Sequence, residues 1–341
     1  MRKIIFSFVI VMSLLIVGCS ATNEEEPASS EVEEVETLTI DMALFHTEND
    51  AFAEIFKEWA SVVEEETDGR VVFQPHYSGS LVDLFDTLET VRAGSVDAGI
   101  LSAGAVSGEI PALGLLEIIN VFPDGEAFQN IYRDSKSVLE EIFEENGVKL
   151  LFWASGGNDM LAFHKDDFLT KPEDFEGFKM RTAGRWQAEQ VSMLGANPVT
   201  MDPSQLYMAL QNGTVDSTFQ VVGLAHAAKI QEVVSKVVST GMPANSVQWV
   251  VNPDVWEKVS DEDKKIIEEI SDEIGLASFQ MIEESEVETK KQIEETGGEI
   301  YVLTDEEREA FQEIFNQVPE KIVEEAGEPG EKLNEILEQY R

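Results

Sequence analysis

The sequence predicts an α/β fold built as two lobes. Three observations predict it: strands alternate with helices, one helix–glycine–strand unit occurs twice, and one helix is too long to pack within a single lobe. The 341-residue chain leaves a body of about 300 residues from Thr37 onward, a length that on size alone divides into two domains. In that body Leu38, Ile40, Met42 and Leu44 alternate as a first strand, and Phe52, Ile55, Phe56, Trp59, Val62 and Val63 share one helical face that Asp68-Gly69 ends. A strand at 71–73, a helix over 81–92 stopped by Gly94, and a buried strand at 96–101 continue the rhythm of strands with crossover helices.

The repeated unit reads LETVRAGSVDA at 88–98 and YMALQNGTVDS at 207–217. In each, a glycine ends a helix in the left-handed conformation, a short polar pair turns the chain, and a strand starts at once. Two such units predict two lobes of related construction. From 254 to 295 the only glycine is Gly275 and there is no proline, while Val255, Val259, Ile266, Ile267, Ile270, Ile274, Phe279 and Ile282 keep a helical period. One long helix, or two colinear ones, is expected to brace both lobes. Helices over 305–325 and 331–340 complete the expected set.

The N-terminus carries a different signal. Arg2 and Lys3 precede an apolar run that reaches Val17, shorter than the roughly 20 residues a membrane span needs, and Gly18 is followed by the chain's single cysteine, Cys19. This pattern resembles a bacterial lipobox, which predicts a signal peptide at 1–18 and a lipid on Cys19, holding the protein on the extracytoplasmic face of a membrane. Residues 19–36, rich in Glu and Ser, are expected to form a disordered acidic tether. The net charge of −43 excludes nucleic acid as a partner, because phosphate neutralisation needs a basic face. Most of that charge is assigned to the tether and to solvated helix faces such as Glu64-Glu65-Glu66.

The chain shows no common catalytic pattern. His46, His76, His164 and His226 stand apart from other metal ligands and are assigned structural or edge roles, and there is no nucleophile elbow, phosphate loop or dinucleotide fingerprint. No cofactor is called for, and the absence of these motifs removes the common enzymes without excluding an enzyme as such.

The positive signal lies in 175–219: Phe175-Glu176-Gly177-Phe178-Lys179-Met180-Arg181, then Leu194-Gly195-Ala196-Asn197-Pro198-Val199, then Leu206-Tyr207-Met208-Ala209-Leu210-Gln211-Asn212-Gly213-Thr214-Val215-Asp216. These segments, together with 46–69, Tyr77-Ser78-Gly79-Ser80-Leu81 and Arg92-Ala93-Gly94-Ser95-Val96-Asp97, resemble the substrate-binding proteins of TRAP transporters, the DctP family. The resemblance implies a periplasmic-binding-protein-like fold with crossing strands and a bracing helix, lobes that close on a small organic acid, and a partner permease of small and large membrane subunits. It places lobe I at 37–155 plus 246–285 and lobe II at 156–245 plus 286–341.

It also implies that Arg181 holds the substrate carboxylate, a role that a planar guanidinium fits by its fork geometry. Asn158, in Trp153-Ala154-Ser155-Gly156-Gly157-Asn158, stands near where many acid-binding members carry an Arg, and Gln220 stands where an Asn usually contacts ligand, with Phe219 where a Glu often sits. The pocket is therefore expected to be more apolar and less cationic than one for a dicarboxylate. Trp186, Phe219 and Trp153 are candidate aromatic walls, Asn245 and Ser102 candidate contacts at strand ends, and Arg185 a candidate second anion contact at a helix start. A monocarboxylate with an apolar or aromatic body is the favoured ligand. A C4-dicarboxylate, a zwitterionic compatible solute, or a role as the ligand-binding part of a sensor stays open.

Overall fold

A computed structural model describes residues 37–120, 125–157, 159–225 and 227–340; the expected signal peptide, Cys19 and the tether lie outside them, as do Asn158 and His226. Among the described residues the strands are, in chain order, β1 (Leu38–Ala43), β2 (Val71–His76), β3 (Ala98–Ser102), β4 (Lys149–Ser155), β5 (Met160–His164), β6 (Lys179–Thr182), β7 (Asn197–Thr200), β8 (Ser217–Val221), β9 (Lys236–Ser239), β10 (Ser246–Val251) and β11 (Glu299–Val302). They form two sheets, one ordered β2-β1-β3-β10-β4 and the other β11-β9-β5-β8-β6-β7. Each sheet is the floor of one lobe.

The sheets are mixed for a topological reason. β1 pairs in parallel with β2 and β3 through helical crossovers, whereas β10 returns from the second lobe and runs antiparallel between β3 and β4. The connections therefore cross where β4 leaves one sheet and β10 re-enters it. There Gly156 N–H donates to the Asn245 carbonyl at 2.9 Å, Met160 N–H to Met242 at 3.0 Å and Asn120 N–H to Pro243 at 2.6 Å.

Both copies of the repeated unit fold alike. Helix Thr87–Arg92 ends before Gly94 (φ +69°) and leads to β3, and helix Leu206–Asn212 ends at Gly213 (φ +75°) and leads to β8. The aspartate closing each unit does the same work. Asp97 Oδ2 accepts from Asp41 N–H of β1 at 3.0 Å, and Asp216 Oδ2 accepts from Lys179 N–H of β6 at 2.9 Å.

The long helix is Asp261–Glu295, started by Ser260, whose hydroxyl accepts from Asp263 N–H. At 1.5 Å per residue its 35 residues reach about 50 Å. Its N-terminal half is fixed to the first lobe, with Trp59 Nε1–H donating to Ser271 Oγ at 3.0 Å and Lys136 paired to Asp272 at 2.6 Å. Lys290, near its other end, pairs at 2.7 Å with buried Asp159, just before β5.

Several boundaries differ from those expected. The helix expected over 81–92 begins at Thr87, because Asp83 Oδ1 accepts from Phe85 and Asp86 N–H and turns the chain first. The helix expected over 305–325 is two, Asp305–Phe315 and Val318–Ala326, parted where Pro319 opens the second. The block 286–341 was expected to belong wholly to lobe II. Instead β11 joins the second sheet and Phe311 packs on Phe175, while Val318–Ala326 and Glu328–Leu337 pack on the segment Pro111–Leu116 of the first lobe, and the latter also on helix Gly125–Glu145. Their apolar stripes, including Val318, Ile322, Leu333 and Leu337, are fully buried there. No helix of the described residues is long and apolar enough to cross a membrane.

Candidate ligand-binding site

Arg181 is on β6, and strand alternation sends Met180 into the core and Arg181 to the opposite face. The guanidinium is 2% exposed. Its Nε–H and an Nη2–H donate to the Met201 carbonyl at 3.2 and 3.0 Å, and an Nη1–H reaches Gln220 Oε1 at 3.4 Å. Of five N–H donors, two are left over, one on each terminal nitrogen, which is the pair a carboxylate fork takes. Among the described residues no carboxylate lies within ion-pair distance of Arg181. Burial lowers its pKa to about 10, against the partial support of Asp202, so the side chain stays cationic at neutral pH.

A cation buried without a counter-ion is costly and calls for an anion. Arg181 opens onto a chamber of about 30 Å³ whose walls include Phe45, His46, Ser102, Gln187, Phe219, Gln220 and Asn245. Phe45, His46, Pro203, Gln220 and Leu224 also wall an adjoining outer chamber of about 210 Å³, which Asp50, Tyr207 and Ala228 help to line. The two volumes suit a small ligand rather than a polymer.

The structure brings together Arg181, Gln220, Phe219, Ser102 and Asn245 of the residues expected from sequence. Ser102 Oγ–H donates to Asn245 Oδ1 at 3.3 Å, joining the end of β3 to the left-handed residue (φ +64°) that precedes β10. Phe219 touches the chamber while its ring stacks on Phe175 at 5.5 Å and meets Phe315 edge-on. Two of the expected aromatic walls are elsewhere. Trp153 faces the helices of the first lobe, stacked on Tyr132 at 5.4 Å and edge-on to Phe128 at 5.1 Å. Trp186 is buried against Gly114 with the Arg185 guanidinium 4.7 Å from its ring. Arg185 itself is half-exposed and bidentate to Glu325, so it is spent on the C-terminal helices and not on an anion. Asn158 is not among the described residues.

Sequence reasoning missed His46 and Gln187. His46 follows the end of β1, two residues past the strand's last buried alternation, and ligands in open α/β sheets gather at such strand ends. That rule nominated Ser102 and would have nominated His46. Neither ring nitrogen of His46 has a hydrogen-bond partner among the described residues, and the ring, 2% exposed, lies between Phe45 at 3.9 Å and Phe52 at 4.9 Å. Burial lowers its pKa to about 3, so the imidazole is neutral. Gln187 is tied down at the start of helix Arg185–Met193: its N–H donates to Glu117 Oε1 at 2.9 Å and its Oε1 accepts from Ala183 N–H at 2.6 Å.

Glu117 belongs to the first lobe and is 1% exposed. It accepts from Ser107 Oγ–H at 2.7 Å as well as from Gln187, and burial pushes its carboxyl up to about 7. Gln190 bonds both the N–H and the carbonyl of Ile119, at 2.9 and 3.2 Å. The segment 117–119 is thus stitched to a helix of the second lobe beside the chamber. A larger groove of about 690 Å³, walled by Asn120, Gly241, Pro243 and Arg308, offers no comparable cation, because Arg308 is paired with Asp305 and bonded to the Thr240 carbonyl.

Known proteins resemble this chain in sequence and in fold. The family model described as bacterial extracellular solute-binding protein, family 7 (DctP) matches residues 42–326. The ectoine-binding periplasmic protein TeaA of Halomonas elongata is 27% identical over 299 residues, covering 86% of this chain and 85% of that one. The 2,3-diketo-L-gulonate-binding periplasmic protein YiaO of Escherichia coli is 23% identical over 286 residues, covering 83% and 86%. In fold, a TRAP periplasmic solute-binding protein from Desulfovibrio salexigens with bound orotic acid superposes with a TM-score of 0.82 at 22% identity, covering 89% of this chain and 98% of that one.

Proposed function

Because the chain belongs to the bacterial extracellular solute-binding proteins of family 7, the solute-binding proteins of TRAP transporters, we propose that it captures a small monocarboxylate between its lobes and delivers it to a membrane permease. The observation that carries the ligand class is the buried Arg181, which among the described residues has two donors without a partner and no counter-ion. The family consists of solute-binding receptors, and the ligand is released unchanged. Gln220 and the Ser102–Asn245 pair supply neutral polar contacts, and Phe45, Phe52 and Phe219 the apolar walls.

The same walls argue against a dicarboxylate. Arg181 is the one cationic side chain lining either chamber among the described residues, so a second carboxylate would meet a neutral imidazole or the Asp50 carboxyl. A second reading has Asp50 behind it: this buried side chain caps helix Ala51–Glu66 and lines the outer chamber, where it would favour a cationic group on a zwitterion. Delivery involves small and large permease subunits, and Cys19 carries the lipid that keeps the protein at the membrane.

Thermal unfolding against matched monocarboxylates, dicarboxylates and betaine-type zwitterions tests the proposal, since a ligand that binds only the folded state raises its melting temperature. Arg181→Ala removes two charge-assisted hydrogen bonds and should weaken binding of the best acid by at least about a hundredfold. Undiminished affinity in that variant refutes the carboxylate clamp. A preference for the zwitterion that Asp50→Asn abolishes would favour the second reading.

A further inference from the structure

We propose that His46 is the specificity-determining residue of this site, recognising on the ligand a neutral group that both donates and accepts hydrogen bonds, such as a lactam, beside the carboxylate held by Arg181. The inference rests on the monocarboxylate reading and goes beyond it in naming what else the acid must carry.

Four observations converge on it. His46 walls the chamber of Arg181 and the outer chamber at once, so a ligand anchored at the guanidinium and extending outward passes its ring. Both ring nitrogens are buried and without partners among the described residues, which native proteins rarely tolerate unless another molecule satisfies them. Phe45 and Phe52 hold the ring by tilted ring contacts, which use up neither nitrogen. The imidazole is neutral, and a neutral imidazole presents one donor and one acceptor rather than a second charge.

The two nitrogens point away from each other, so one ligand group meets one of them: a lactam or a hydroxyl can donate to the ring acceptor or accept from the ring donor, whichever nitrogen faces it, whereas a second carboxylate could use only the donor. A site that hydrogen-bonds such a group rejects the analogue lacking it strongly, because its own polar atoms are then left unpaired. The alternative is that His46 merely fills space among aromatics, and the two roles predict different variants. His46→Phe keeps ring volume and stacking while removing both orphaned nitrogens, so without ligand it should unfold at the same temperature as the wild type or higher.

The test is calorimetric titration of the full-length protein and its His46→Phe and Arg181→Ala variants with L-pyroglutamate and cyclopentanecarboxylate. These acids share a five-membered ring and one carboxylate and differ in the lactam. The wild type should prefer pyroglutamate by about tenfold or more. His46→Phe should lose that preference while binding cyclopentanecarboxylate within about threefold of the wild type, and Arg181→Ala should lose both acids. A His46→Phe protein that keeps the preference, or that loses both acids equally, overturns the assignment of His46. Wild-type protein that binds neither acid at about 10 mM, or that does not prefer the lactam, overturns the ligand class named here. An Arg181→Ala protein that retains both acids overturns the carboxylate clamp instead, and leaves the His46 contrast to be read by itself.

Discussion

Replacing Glu117 by Gln should make the protein more stable at pH 8 and leave it nearly unchanged at pH 4.5. The carboxyl is buried, accepts from Ser107 Oγ–H and Gln187 N–H, and has a pKa raised by burial from 4.5 to about 7, hydrogen bonds from the Gln187 backbone, the Ser107 side chain and the Trp186 backbone together with the Arg185 guanidinium offsetting part of that rise. A carboxyl whose folded pKa is raised binds its proton more tightly in the folded state. Between pH 4.5 and about 7 the folded state therefore holds more protons than the unfolded one, and stability falls as pH rises through that window and is level above it. At 1.36 kcal/mol per unit the gap is worth about 3 kcal/mol. Gln keeps the acceptor for Gln187 N–H, and its amide can donate to Ser107 Oγ, which can turn its own proton to the Gly104 carbonyl, already 3.1 Å away. Glu117→Gln then removes the ionisation and little else. Urea unfolding followed by tryptophan fluorescence at pH 5, 6, 7 and 8 reads the difference between the two proteins. Asp50, also raised to about 7 by burial, adds a slope of the same sign to both and cancels. A difference that does not grow between pH 5 and 7, or a variant less stable at every pH, refutes the reasoning.

Two further substitutions probe the long helix and the N-terminal cysteine. Gly275→Ala in the middle of the long helix should destabilise by about 1–2 kcal/mol, although Gly→Ala in an exposed helix gains about 1 kcal/mol, because the new methyl would sit 2.0 Å from Tyr132 Oη and Tyr132 is held by Trp153 and Phe128; a urea midpoint that rises shows that the tyrosine yields. Cys19→Ser should move the protein from the membrane to the soluble fraction of cells, and a variant that stays with the membrane contradicts the lipid anchor.

Much of this fold was legible because its signals are local. The alternation of Leu38 to Leu44, the paired glycine turns and the helical period expected from 254 to 295 each depend on a few neighbouring residues; the first two appear in the structure, and the third appears from Asp261 onward, after a separate short helix Pro253–Trp256. Arg181 was legible only through the motif around it; an arginine after Gly-Phe-Lys-Met by itself names no ligand. The details that decide its chemistry were not legible. That half its fork is spent on the Met201 carbonyl depends on a loop 20 residues away, and that Trp153 faces helices depends on which side of the first sheet is covered. Arg185 was read as a free cation because its partner, Glu325, is 140 residues distant. His46 escaped notice because its significance lies in contacts it does not make, which no spacing pattern records.

Strand β6 carries Arg181, yet its pairing with β8 spans only Met180↔Ser217 and Arg181↔Thr218. So short a ladder fixes its register weakly. The ladder with β7 from Lys179↔Asn197 to Thr182↔Thr200 holds it on the other side, and beside β8 the Asp216 carboxylate takes the Lys179 N–H while Asp216 N–H returns a bond of 2.7 Å to the Lys179 carbonyl. A slip of one residue would exchange the two faces of the strand, swinging the guanidinium into the apolar core and the Met180 thioether into the chamber. The aim of Arg181 is thus set in part by an acid that lines neither chamber. Asp97 does the same for β1 and so for the residue that follows its end, His46. Each sheet carries its own alignment pin, so the register of one is held without reference to the other.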